Sequence, residues 1–157
     1  MQLSIVDINE DFAVNILNWR YDAPYDFYNN EVSPDSMKEM LKNSYRVILD
    51  RYQGIAGFFC TGSSAQVPAG HHYGAYSDDL IDLGIGMNPE LTGQGYGSEF
   101  FSFILRHIQA AFSGVSIRLT VAAFNHRAIH LYEKLEFVKQ IQFNNGRTDF
   151  ITMVKSV

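Results

Sequence analysis

The stretch NPELTGQGYGSEF, residues 88–100, places glycine at positions 93, 95 and 97, immediately before a run that predicts a helix. Each glycine inside regular structure costs about 0.5–1 kcal/mol relative to alanine, so three at alternate positions need a reason. One explanation is a flexible loop or a tight strand-to-helix turn. The other is a set of bare backbone N–H groups that bind an anion at the helix N-terminus.

The segments after the glycines alternate between helix and strand. A helix is predicted from about residue 95 to residue 112, because apolar side chains cover it most of the way round. The next strand is SIRLTVAAF, 116–124, and Asn125 caps the helix that follows it. The chain closes with a hairpin around Asn145-Gly146, a strong signal for a two-residue turn.

The segments before the glycines begin with a strand and two helices. Residues 2–8 predict the strand, Asn9 the cap of the first helix, and Ser33-Pro34 the start of the second. Four further segments follow: strands over 46–50 and 54–60 joined at hairpin length, a glycine- and serine-rich loop over 61–79, and a strand over 80–87.

The resulting order, βααβββαβαββ, mixes hairpins with crossover connections. It predicts an α/β (α+β) fold, with a central mixed sheet of about seven strands and helices on both faces. No repeat, low-complexity tract or linker divides the 157 residues, so we expect a single domain over 1–157.

Composition argues against several classes of protein. A net charge of −5 disfavours nucleic acid as a partner, because nucleic-acid binding calls for a basic face. A single cysteine, Cys60, excludes a disulfide framework and a Cys-based zinc site. The His71-His72 pair has no third ligand at a regular spacing, so no metal site is predicted. We see no secretory signal and no apolar stretch of membrane-spanning length, and therefore expect a cytoplasmic protein without a membrane partner.

The glycines do not fit the two commonest nucleotide-binding motifs. A Walker A loop needs GxxxxGK[ST], and no lysine follows any of these glycines. The dinucleotide fingerprint GxGxxG fails at Ser98 in GQGYGS and at Pro89 in GIGMNP, and no acidic residue lies at 115–120. A P-loop NTPase is excluded, and a nucleotide-binding oxidoreductase is disfavoured.

TGQGYG, residues 92–97, resembles the acyl-CoA loop of the GCN5-related N-acetyltransferases, whose signature is [Q/R]-x-x-G-x-[G/A]. Gly95 and Gly97 match the two glycines, while Thr92 stands where the family has Gln or Arg. The substitution removes a side-chain donor and leaves the backbone N–H groups intact.

NHRAIHLYEKLEFV, residues 125–138, resembles the downstream segment N-x-x-A-x-x-x-Y-x-x-x-G-F of the same family. Glu136 replaces the usual glycine. The matching residues are Asn125, Ala128, Tyr132 and Phe137. The spacing between the two motifs also matches, and the resemblance is weakest over residues 1–45 and 61–79.

The resemblance implies direct transfer of an acetyl group from acetyl-CoA to an amine in a ternary complex. It implies a cofactor site on the end of the 80–87 strand, the glycines and the helix after Asn125. The cofactor-binding residues that the resemblance implies are Ile85, Gly86, Met87, Thr92, Gly93, Gln94, Gly95, Tyr96, Gly97, Ser98, Asn125 and Ala128.

Catalytic roles follow from the same resemblance. The family's tyrosine faces the CoA sulfur, and a phenol with an ordinary pKa of about 10 can donate a proton to a thiolate, so Tyr132 is the candidate acid. Backbone N–H groups near Gly86 and Met87 are expected to polarise the thioester carbonyl. Asp82 is the candidate base, because it shares a strand face with Gly84 and Gly86. Other candidates remain open: Asp79, Glu31, His71 and His72.

The segment WRYDAPYDFYNNEV, residues 19–32, is the candidate acceptor site. Its aromatic and acidic side chains suit an ammonium group, although an aromatic cluster that covers the core explains the same composition. The candidate substrate residues are Trp19, Tyr21, Tyr25, Phe27, Tyr28 and Glu31. We expect a small-molecule amine as partner, with polyamine, amino sugar, amino acid and protein N-terminus all open.

A noncatalytic acyl-CoA-binding or sensing module is the alternative to an enzyme. Thr92 and Glu136 depart from the family pattern and favour the sensor, whereas Tyr132 and the open strand at Gly84 and Gly86 favour catalysis. A monomer and a homodimer are equally compatible with the sequence.

Overall fold

The structure is a computed structural model that describes residues 2–157. Its helices and strands follow the predicted order βααβββαβαββ. The strands are β1 Ser4–Asp7, β2 Tyr45–Leu49, β3 Ile55–Thr61, β4 Ile81–Met87, β5 Ile117–Ala122, β6 Val138–Asn144 and β7 Asp149–Lys155. The α-helices are α1 Glu10–Leu17, α2 Pro34–Lys42, α3 Gly97–Ala111 and α4 His126–Lys134.

The seven strands form one mixed sheet in the order β1-β2-β3-β4-β5-β7-β6. β5 runs parallel to β4, with Ile81 opposite Ile117 and Asp82 opposite Arg118. The β1–β2, β2–β3, β5–β7 and β6–β7 pairs are antiparallel. The predicted mixed seven-stranded sheet is therefore confirmed.

The chain divides into two compact units, one of residues up to 60 with 85–100 and the other of residues 61–84 with 101–157. In the first unit, α1 and α2 begin at the predicted caps. The Asn9 side chain accepts from the Phe12 N–H, and Ser33 and Ser36 form a reciprocal capping box. The buried core of this unit consists of Ala13, Ile16, Leu17, Met40, Val47 and Leu49.

Two neighbouring residues of β3 show that helices cover both faces of the sheet in the first unit. Phe58 packs against Trp19 and the core beneath α1 and α2. A Cβ at Gly57 would collide with the Phe100 ring of α3. Since consecutive strand residues point to opposite faces, α3 begins on the face opposite α1 and α2.

The second unit has an aromatic core. Phe143 and Phe150 stack between β6 and β7 at a centroid distance of 5.6 Å, and both belong to a buried cluster with Ala75 and Ala122. The β6–β7 turn differs from the predicted two-residue turn. Four residues, 145–148, separate the strands, because the Asn145 side chain accepts from the N–H groups of Arg147 and Thr148 and stabilises a wider turn.

Two further predictions needed correction. The 61–79 segment is not plain loop, since it holds short 3-10 helices at Gly62–Ala65 and Pro68–Tyr73. Helix α3 begins at Gly97, two residues later than predicted, because Gly95 has φ +85° and left-handed backbone cannot enter a right-handed helix. No helix within residues 2–157 is both long and apolar enough to cross a membrane.

Glu136, just after α4, adopts φ +72° where the family motif has glycine. A side chain in left-handed backbone costs about 1–2 kcal/mol, so Glu136→Gly should raise the free energy of unfolding by about 1 kcal/mol after the added chain entropy is counted. Thermal unfolding should show a Tm increase of roughly 2–4 °C.

Glu133→Gly is the matched control, because Glu133 lies inside α4. Glycine there should destabilise the protein by about 1 kcal/mol. A Glu136→Gly variant that is destabilised to the same extent would contradict the prediction.

Candidate functional site

Residues 92–97, which we call the glycine loop, connect the β4 end to α3. Gly93 has φ +74° and Gly95 φ +85°, both in the left-handed region that glycine alone adopts without strain. No atom lies within 4 Å of the position that a Cβ would occupy on Gly95. Glycine is therefore needed at 95 for its backbone conformation, and the space beside it is open.

The glycine loop is stabilised by its own side chains. The Thr92 hydroxyl donates to the Pro89 carbonyl at 2.8 Å, and the Gln94 side-chain amide donates to the Glu90 carbonyl. Asn88 accepts from the Glu90 N–H at 3.0 Å. These bonds connect Thr92 and Gln94 to the turn at Pro89 and Glu90 and so stabilise the shape of the loop.

The N-terminus of α3 gives this loop the character of an anion site. The first four N–H groups of an α-helix lack intrahelical partners and carry its positive dipole end. Turns with residues in left-handed backbone, such as Gly93 and Gly95, can also direct N–H groups into anion-binding concavities. Four consecutive residues, Gly93 to Tyr96, are exposed, as is Ser98. The residues present therefore fit the phosphate groups of a CoA ligand.

The end of β4, at Ile85, Gly86 and Met87, is half-buried. A Cβ on Gly86 would collide with the Phe58 ring, so the packing of Phe58 already accounts for this glycine. The Met87 carbonyl accepts from the Tyr21 hydroxyl at 2.7 Å. A residue of the predicted acceptor segment thus contacts the predicted cofactor strand.

Helix α4 carries the second predicted motif. The Asn125 side chain accepts from the Ala128 N–H at 3.1 Å and caps the helix, as the sequence predicted. Tyr132 is 8% exposed, and its ring lies against those of Phe101 and Phe137, at centroid distances of 5.1 and 6.1 Å. The ring of Tyr132 is therefore held in one orientation by aromatic packing.

Asp82 is buried in an ion pair. Its carboxylate accepts from Arg118 Nε at 2.6 Å and from Nη2 at 2.9 Å, and Gln66 Nε2 donates to the same carboxylate at 2.8 Å. Asp82 and Arg118 are only 4% and 2% exposed. This bidentate geometry is typical of a structural ion pair and does not favour Asp82 as a proton acceptor.

The Arg118 guanidinium also contacts the 61–79 segment. Its Nη1 donates to the Asp78 carbonyl at 3.2 Å, and its Cζ lies 5.1 Å from the Tyr76 ring centroid. The Tyr76 hydroxyl in turn lies 2.8 Å from the Thr120 hydroxyl and accepts from the Val67 N–H. The ion pair therefore fixes this segment to β4 and β5 of the second unit.

The pKa values of Arg118 and Tyr45 are shifted from their ordinary values. The hydrogen bond to Asp82 raises the pKa of Arg118 above its ordinary value, so this guanidinium stays charged. Burial raises the pKa of Tyr45, and Cys60 and Glu39 nearby add to the effect.

Among residues 2–157, no three His, Cys, Asp or Glu side chains are grouped closely enough to hold a metal ion.

The segment of residues 19–32, which we call the acceptor segment, is largely exposed. Trp19 packs on Phe58 with centroids 6.0 Å apart, and this part of the segment covers the core. Phe27 and Tyr28 form an edge-to-face pair and are 46% and 36% exposed. Tyr25 is half-buried in the short 3-10 helix Tyr25–Tyr28, and Glu31 is exposed.

Each unit contains some of the predicted site residues. The acceptor segment, the β4 end and the glycine loop belong to the first, and Asp82, Asn125, Ala128 and Tyr132 to the second. The other base candidates are exposed: Asp79, Glu31, His71 and His72. Sequence reasoning missed Arg118 and Gln66 as partners of Asp82. An arginine inside the apolar strand SIRLTVAAF was the available signal.

The sequence matches the Acetyltransferase (GNAT) family over residues 13–137. Among solved structures, spermidine N-acetyltransferase from Vibrio cholerae, in complex with CoA and spermine, superimposes with a TM-score of 0.70 and 22% identity, covering 98% of this chain and 95% of that one. The GNAT-family acetyltransferase from Bacillus anthracis gives a TM-score of 0.73 at 14% identity, covering 99% and 95%. None of the curated proteins matches the chain significantly.

The chain belongs to the acetyltransferase (GNAT) family. The predicted family and fold are confirmed, and with them the class of enzyme, an acetyl-CoA-dependent N-acetyltransferase.

Proposed function

We propose that this protein transfers an acetyl group from acetyl-CoA to the amine of a small cationic molecule by direct attack. The observation that carries the proposal is the glycine loop, in which Gly93 and Gly95 are left-handed and the space beside Gly95, just before α3, is open. Acetyl-CoA supplies the activated acetyl group. The glycine loop and the N-terminus of α3 hold its phosphates through backbone N–H groups.

Within this proposal, the other predicted cofactor residues keep their assignments. The β4 end, Ile85–Met87, orients the reacting end of acetyl-CoA through its backbone, and Asn125 and Ala128 bind it from the start of α4. Tyr132 supplies the proton that the departing sulfur needs, and packing against Phe101 and Phe137 keeps its hydroxyl in place.

We assign no base role to Asp82, because its carboxylate is already occupied by Arg118 and Gln66. The amine therefore loses its proton to water or to an exposed side chain of the acceptor segment. This differs from the expectation, drawn from the family resemblance and the strand face shared with Gly84 and Gly86, that Asp82 is the base.

We propose the acceptor segment as the amine site. Phe27 and Tyr28 expose an aromatic pair, and the carboxylates of Asp22, Asp26 and Glu31 are exposed in the same segment. An ammonium group is attracted both by aromatic faces and by carboxylates. The Vibrio cholerae neighbour was solved with spermine, which makes polyamines the first acceptors to test.

The test is CoA release from acetyl-CoA against a panel of amines, with binding of CoA followed by thermal shift. We expect turnover with a polyamine or another small amine, and stabilisation by CoA. Stabilisation without turnover on any amine would favour the noncatalytic sensor, and the absence of stabilisation would contradict the proposed cofactor site.

Gly95→Ala should weaken CoA binding at least about tenfold, because the new methyl group enters the open space beside the loop. Gly114→Ala is the matched control, since Gly114 has φ +79° and also no atom within 4 Å of its Cβ position. Both variants should lose about 1–2 kcal/mol of stability from backbone strain. Equal CoA affinity in the two variants, measured by calorimetry, would refute the assignment.

A further inference from the structure

The peptide group between Met87 and Asn88 is hydrogen-bonded at both ends. Its carbonyl accepts from the Tyr21 hydroxyl at 2.7 Å, and its N–H donates to the Ala56 carbonyl of β3 at 2.9 Å. A peptide held on both sides cannot rotate without breaking one of these bonds. The last residue of β4 is therefore hydrogen-bonded to the acceptor segment through its carbonyl, and the next residue to β3 through its N–H.

Asn88 extends this connection to the glycine loop. Its side-chain Nδ2 donates to the Ile55 carbonyl at 2.9 Å, and its Oδ1 accepts from the Glu90 N–H at 3.0 Å. The Leu91 N–H donates to the Asn88 carbonyl at 2.9 Å. Asn88 therefore links the Met87–Asn88 peptide to the turn at residues 88–91, which precedes the glycine loop.

Tyr21 is equally well tied to its own segment. Its backbone N–H donates to the Asn29 side chain at 2.8 Å, across the 3-10 helix that carries Phe27 and Tyr28. The Tyr25 N–H donates to the Asp22 carbonyl, and the Asn29 N–H donates to the Asp26 carbonyl. Residues 21–29 are therefore held together by hydrogen bonds of their own. The Tyr21 hydroxyl therefore joins two internally bonded parts of the first unit, residues 21–29 and residues 87–91.

We propose that Tyr21 is a positioning residue that couples the acceptor segment to the acetyl-CoA strand through its hydrogen bond to the Met87 carbonyl. The inference rests on the proposed function, which places the reacting end of acetyl-CoA at the β4 end. CoA bound there stabilises the orientation of the Met87–Asn88 peptide, and Tyr21 transmits this stabilisation to residues 21–29. By reciprocity, ordering of the acceptor segment stabilises the orientation of the Met87–Asn88 peptide that binds CoA.

The test is amide hydrogen exchange with and without saturating CoA, in wild type and Tyr21→Phe. In wild type, CoA should slow exchange in the 92–98 peptide and, at least about fivefold, in the 21–29 peptide. In Tyr21→Phe the protection of 92–98 should remain, while that of 21–29 should fall below about twofold. The variant should fold, because the half-buried hydroxyl makes one identified hydrogen bond to the backbone that water can replace.

Tyr52→Phe is the matched control, because it also removes one tyrosine hydroxyl from the first unit, at an exposed position on the β2–β3 turn. Amide hydrogen exchange in this variant should match that of wild type, with and without CoA. Protection of 21–29 that survives in Tyr21→Phe would overturn the coupling role and leave the cofactor site standing. No protection of 92–98 in wild type would instead overturn the proposed cofactor site, and the coupling with it.

Discussion

Arg118→Met is expected to lower the free energy of unfolding by about 3–5 kcal/mol, as is usual when one partner of a buried ion pair is removed. Asp82, which is 4% exposed beside Arg118, would keep only Gln66 among its identified donors. Methionine fills much of the volume of the arginine stem, so the loss reports the uncompensated charge more than a cavity. Chemical denaturation of wild type and variant measures the difference.

Two further variants separate charge from packing. Arg46→Met removes a half-buried arginine from its pair with the exposed Asp7, whose carboxylate lies 3.3 Å from it, and should cost less than about 1 kcal/mol. The double variant Asp82→Leu/Arg118→Met removes both buried charges and should recover most of the lost stability. If Arg118→Met costs no more than Arg46→Met, the ion pair is not the support of the 61–79 segment that its geometry indicates.

Much of the fold could be predicted from the sequence because local chemistry specifies its elements. Asn9, Ser33 and Asn125 each cap the helix that the sequence assigned to them. The predicted two-residue turn at Asn145-Gly146 was too short by two residues. The width of the turn depends on which backbone N–H groups the Asn145 side chain accepts from, and the dipeptide alone does not specify them.

For the candidate site, the sequence identified the glycines before α3 but not the contacts between distant side chains. Gly93 and Gly95 prove to have left-handed backbone, a conformation that glycine adopts without strain. The partners of Asp82 do not follow from strand alternation, which gives the face of a residue and not what covers it. Gln66 lies sixteen positions away and Arg118 thirty-six, so only the folded chain brings them to Asp82.

Tyr132→Phe is expected to lower kcat by about 100-fold, the lower end of what general acid catalysis contributes. The KM for acetyl-CoA should change less than about twofold, because an interaction made only in the transition state affects kcat and not ground-state binding. Phenylalanine keeps the ring packing against Phe101 and Phe137, so Tm should stay close to that of wild type. Steady-state CoA release with the best amine of the panel gives both constants.

Tyr73→Phe is the control for the loss of a hydroxyl, since Tyr73 is exposed on the 61–79 segment and stacks on Phe143. It should keep wild-type kcat. A Tyr132→Phe enzyme with full activity would mean that water protonates the leaving sulfur and that Tyr132 serves only to pack α4. A fall in both kcat and Tm would also point to packing, because the acid role predicts that the two quantities separate.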